Sequence, residues 1–76
     1  MSVKTWSPHP LYVEIAELLE RKGPLTDAEL FDLLRESRED ISFGVLNKTL
    51  MEMEIRGKVH VSTLARGKRR VELVTG

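Results

Sequence analysis

At Gly57 the hydrophobic pattern of the chain changes period, from about 3.6 residues before it to about 2 after it. Ahead of Gly57 lie three helical stripes. Leu11, Ile15, Leu18 and Leu19 share one face, flanked by Tyr12, while Glu14, Glu17, Glu20 and Arg21 point away. Leu30, Leu33 and Leu34 form the second stripe. Leu46, Leu50 and Met53 form the third, with Phe43 and Thr49 at its margins. Beyond Gly57, Val59 and Val61 alternate with Lys58, His60 and Ser62, and Val71 and Leu73 alternate with Arg70 and Glu72. A chain with three amphipathic helices followed by two half-apolar strands buries both by laying one face of a hairpin on the helices. The predicted fold class is therefore α+β.

The element ends are written in capping and turn residues. Pro10 or Leu11 opens the first helix, and Gly23-Pro24 stops it near Lys22. Leu25 is placed for a very short strand. Thr26 and Glu29 have the spacing of a capping box, in which the hydroxyl accepts from the Glu29 N–H and the carboxylate reaches back. The second helix fades around Glu36 into a polar connection, Ser37 to Asp40. Ser42 is a good N-cap for the third helix, which ends near Arg56. The expected helices cover about 10–22, 26–37 and 42–56, with a hairpin across 58–74. Residues 1–9 read as an N-terminal arm that Pro8 and Pro10 hold extended, with Trp6 covering the core edge. Residues 10–76 make one domain, in the order α-β-α-α-β-β.

The hairpin register follows from burial. A two-residue Arg66-Gly67 loop pairs Val61 with Glu72 and sends the two apolar sets to opposite faces. A three-residue Ala65-Arg66-Gly67 loop pairs Val59 with Leu73 and Val61 with Val71, so all four are buried together. The outer face then carries His60 opposite Glu72 and Ser62 opposite Arg70, and Gly67 takes the left-handed position of the loop.

Composition narrows the function classes. The 76 residues hold no cysteine, which excludes a disulfide scaffold and a thiolate metal site. His9 and His60 lack a ligand pattern, and the glycines do not form a phosphate-binding loop. No nucleophile motif surrounds the serines, and capping and solubility account for the carboxylates. The expectation is a non-enzyme without cofactor, metal or small-molecule substrate. No apolar run approaches the roughly 20 residues of a membrane span, and the start of the chain lacks a signal-peptide core. The expected location is the cytoplasm. Net charge is zero, yet strongly polarised. Through Asp40 five bases stand against nine acids, giving −4. From Ile41 onward seven bases stand against three acids, giving +4. A chain divided in this way can present a basic face to an anionic partner.

The element order, with Leu25-Thr26-Asp27-Ala28-Glu29-Leu30 opening the second helix and Val45 to Val61 running through Gly57 into the hairpin, resembles the winged-helix branch of the helix-turn-helix superfamily. Small stand-alone archaeal members are the nearest likeness, and the resemblance covers about Leu11 to Val74. It implies that the third helix enters the major groove of double-stranded DNA and that the wing touches backbone or minor groove. Carried over by position, Ser42, Phe43, Asn47, Lys48 and Met51 face the groove, and Arg66, Lys68, Arg69 and Arg70 are wing contacts. Asn47 has the donor–acceptor edge for adenine, and Met51 suits a thymine methyl. Gly44 lets the helix N-terminus approach a phosphate or packs closely on the second helix.

Two features depart from this pattern. The connection between the second and third helices is longer than a tight turn and charged. The third helix also carries Glu52 and Glu54, and Glu54 repels phosphate unless Arg56 or Lys58 pairs with it. The implied function is duplex-DNA binding by a transcriptional regulator or chromatin-associated factor. The alternatives are a protein-interaction module of a larger assembly, or RNA binding through the wing. Val13, Phe31, Met51 and Leu64 fall partly outside the core, and a contiguous set of them suggests a homodimer or another protein partner.

Overall fold

Pro10 holds extended backbone (φ −54°, ψ 149°) and caps α1 (Leu11–Lys22). The computed structural model describes residues 10–74, so the arm 1–9, with Trp6 and His9, lies outside the described residues. Gly23 ends α1 at φ +82°, its N–H donating to the Leu19 carbonyl at 2.8 Å. Next come β1 (Leu25–Thr26) and α2 (Asp27–Ser37). The capping box forms as expected. The Glu29 N–H donates to Thr26 Oγ1 at 3.1 Å, and the Thr26 N–H donates to Glu29 Oε1 at 2.8 Å.

The third helix, α3 (Phe43–Ile55), begins at Ser42, whose hydroxyl accepts from the Val45 N–H at 3.1 Å. It closes with two bonds around Gly57, which lies at φ +74°. The Gly57 N–H reaches the Glu54 carbonyl at 3.0 Å, and the Lys58 N–H reaches the Met53 carbonyl at 2.8 Å. This pairing is a Schellman closure. It turns the chain directly into β2 (Val59–Thr63), which is why the hydrophobic period breaks at that glycine.

The last strand, β3 (Arg69–Leu73), lies between the other two in the order β1-β3-β2, all antiparallel. Val59 pairs with Leu73, His60 with Glu72, Val61 with Val71 and Ser62 with Arg70, the register expected from burial. On its other edge β3 pairs Val71 with Leu25 and Arg70 with Thr26. The loop Ala65–Gly67 differs in one respect. Arg66 as well as Gly67 is left-handed, at φ 65° and 77°. These are the φ signs of a type I′ turn, and Ala65 is the additional residue that sets the register.

The core joins all layers. Ile15, Leu18 and Leu19 from α1 meet Leu30 and Leu34 from α2, Leu46, Leu50 and Met53 from α3, and Val59 and Val71 from the sheet. Leu33, expected in the buried stripe, is half-buried at the core margin. The connection after α2 is better anchored than its polar composition suggests. Arg38 Nε pairs with Glu14 Oε1 at 2.7 Å, and the Ser37 hydroxyl donates to Glu14 Oε2. The Ile41 N–H donates to the Arg38 carbonyl at 3.2 Å while its side chain packs on the core. Glu14, which the helical pattern places outside, thus ties α1 to the end of α2.

Leu50 is 2% exposed and sits where α3 meets the other layers. Leu50→Ala is expected to lower unfolding free energy by about 2–5 kcal/mol, through lost transfer energy and the cavity left behind. Urea denaturation of both forms checks this, and an unchanged midpoint would contradict the helical phase of α3.

Candidate nucleic-acid interface

The alternation of β3 divides the basic cluster of the wing. Arg66 and Lys68 at the tip and Arg70 on the outer face of the sheet are exposed. Arg69 lies two residues before Val71 and four before Leu73, so it shares their inner face. Its Nε donates to Asp27 Oδ2 at 3.4 Å, and its Nη2 donates to Asn47 Oδ1. Asp27 opens α2 and is only 6% exposed. Its second oxygen accepts from the Ala28 N–H at 2.9 Å. A carboxylate there is stabilised both by the guanidinium and by the positive end of the α2 dipole. Arg69 therefore joins the root of the wing to the starts of α2 and the flank of α3.

The expected groove-facing residues of α3 fall into separate environments. Ser42 is exposed and caps the helix. Phe43 is 40% exposed and packs edge-on against Phe31, with ring centroids 5.3 Å apart and planes at 75°. The Arg35 guanidinium covers the Phe31 ring at 5.6 Å. Asn47 is half-buried and engaged with Arg69. Lys48 and Met51 are exposed on the outward face. Glu54 is exposed too, and among the described residues neither Arg56 nor Lys58 pairs with it. Among the described residues, a methyl group built on Gly44 would meet only Ser42 Oγ, at 4.0 Å, so close packing on α2 is not what this glycine serves.

The structure brings together residues that the sequence reading treated separately, Asn47 with Arg69, and adds three that it did not single out. Asp27 anchors Arg69. Val45 and Ile55, 52% and 79% exposed, lie with Met51 on the outward face of α3. The spacing of Lys48, Met51 and Ile55 by three and four residues carries this in the sequence.

Among the described residues, no group of three or more histidine, cysteine or acidic side chains is placed to hold a metal ion, and no helix is long and apolar enough to cross a membrane. No family model, curated protein or solved structure matches the chain. Among the described residues, three helices and a three-stranded antiparallel sheet ending in an exposed hairpin define an α+β class compatible with a winged-helix layout.

Adjacent arginines on opposite faces of β3 should behave differently. Arg69→Ala leaves the buried Asp27 carboxylate without its ion pair and is expected to cost about 1–3 kcal/mol. Arg70→Ala removes an exposed side chain and should leave stability nearly unchanged. Thermal unfolding of the two variants checks the difference; equal losses would remove the structural role assigned to Arg69.

Proposed function

We propose that the chain binds double-stranded DNA through its wing, as a transcriptional regulator or chromatin-associated factor. The observation that carries this reading is the exposed trio Arg66, Lys68 and Arg70 on one short hairpin, free of ion pairs among the described residues. Cations spaced so closely neutralise neighbouring phosphates and release their counterions. The backbone of Arg66 supports the same reading. A left-handed non-glycine residue costs on the order of 1 kcal/mol, and glycine or asparagine would fill that turn position more cheaply. The cationic side chain is the return for that cost.

Binding of this kind positions the protein on the duplex more than it reads bases. Bidentate pairing with adenine needs both polar ends of the Asn47 amide. Its carbonyl is already engaged by Arg69, which leaves the amide N–H₂ as a donor. Arg69 itself is held at the root of the wing by Asp27, so the cationic contacts of the hairpin are three rather than four. The proposed binding is backbone-led and weakly sequence-selective.

Fluorescence anisotropy with a labelled duplex, titrated across ionic strength, tests it. Three phosphate contacts give a log–log salt slope of about −2.7. Arg70→Ala should reduce the slope by about 0.9, on a selected and a scrambled duplex alike. Absence of duplex affinity at low salt would rule the reading out. Clearly tighter binding to an RNA duplex of the same length would move the ligand to RNA.

A further inference from the structure

We propose that the outward face of α3 is a self-complementary interface that pairs two copies of the chain antiparallel. Gly44, Lys48, Met51 and Ile55 succeed one another at helical spacing on that face, with Val45 and Glu52 beside them, and all six are exposed. The opposite face, Leu46, Leu50 and Met53, is already spent on the core. Val45, Met51 and Ile55 remain more than half exposed. Met51 and Ile55, four residues apart, are neighbours on the helix surface, and Val45 lies on the same outward half.

Charge identifies the occupant. In a two-fold antiparallel pair each contact occurs twice, and the positions facing one another have a constant sum. The register that sets Lys48 against Glu52 of the partner subunit also sets Val45 against Ile55 of the partner subunit. Lys48 and Glu52 then each meet the opposite charge and Val45 and Ile55 meet each other, while Met51 comes opposite Thr49 of the partner subunit. Sliding the helices by about one turn in either direction instead opposes Lys48 to Lys48 of the partner subunit, or Glu52 to Glu52 of the partner subunit. The same register places Gly44 opposite Arg56 of the partner subunit. Among the described residues only Ser42 Oγ, at 4.0 Å, comes near the space beside Gly44, and a glycine weakens a helix. Facing a long side chain of a second copy, it gives that side chain room.

The thirteen residues of α3 span about 20 Å. One helix pair of that length falls below the roughly 800 Å² per partner of a standard stable interface, so the association is concentration-dependent. It involves no nucleic acid, so its failure leaves the wing reading intact, and the converse also holds.

Sedimentation equilibrium of the full chain without DNA, from roughly 10 µM to 1 mM, tests the pairing, with circular dichroism to verify folding. The natural chain should dimerise within that range. Lys48→Glu and Glu52→Lys should each weaken association by about tenfold or more by opposing like charges. The double variant K48E/E52K should restore it to within about threefold, because the swap regenerates both pairs. A monomer throughout the range, single swaps without effect, or a double variant that stays monomeric would each overturn the proposal. So would a monomer whose Ile55→Asp variant loses duplex affinity, because that face would then meet nucleic acid.

Discussion

The structure depends on the parity of its central strand. Val71 is fully buried and pairs with Leu25 on one edge and Val61 on the other. Once Val71 faces the helices, Arg69 and Leu73 must face them too, and Arg70 and Glu72 must face away. The division of labour between the two strand arginines follows from this alternation. Arg70 becomes available to an external anion, while Arg69 is committed to Asp27 and Asn47. A one-residue slip would exchange these roles and expose the sheet's apolar face. The three-residue loop at Ala65–Gly67 keeps the register in place.

Most of this architecture was legible in the sequence because its signals are local. The change of period at Gly57, the Thr26–Glu29 box and the Ser42 cap fix element ends without reference to distant residues. Burial of four alternating side chains was enough to choose the hairpin register. Side-chain partners across elements were less legible. Asp27 reads as a first-turn acid that suits any helix start, and only the fold reveals that Arg69, 42 positions later, comes to meet it. Glu14 likewise reads as part of a solvated face until Ser37 and Arg38 close on it. The inward direction of Arg69 was implicit in the hairpin register, because its parity matches that of Val71. Counting the four bases of the wing as one cluster obscured it.

The third helix shows why amphipathic pattern alone does not assign a role. Its apolar residues occupy both the core face and the outward face, and among the described residues only the first is covered by other layers of the fold. The outward face carries Lys48 beside Glu52, with Arg56 just past its end and Val45, Met51 and Ile55 around them. A surface built to enter a groove of polyanion would be expected to carry more cations and fewer exposed aliphatic groups. The wing has the opposite character, with cations and little apolar area beyond Leu64. The two surfaces therefore suit different partners, which is how a chain of zero net charge can still carry a strongly basic element.

These two surfaces are coupled by the arithmetic of binding. Under the proposed DNA reading, three phosphate contacts from one wing would give modest affinity, and that affinity would fall steeply as salt rises. A partner held through α3 brings a second wing without lengthening the chain. The second wing would then meet the proposed duplex at an effective concentration set by the pairing rather than by bulk solution. Weak self-association would be sufficient for this, because a DNA duplex holding one wing would also raise the local concentration of the next chain. The Arg69 clamp contributes rigidity to the arrangement. By tying the wing root to Asp27 on α2 and Asn47 on α3, it holds the cationic hairpin against the helix that would carry the partner. The distance between two such wings would then be fixed by packed structure rather than by a flexible loop.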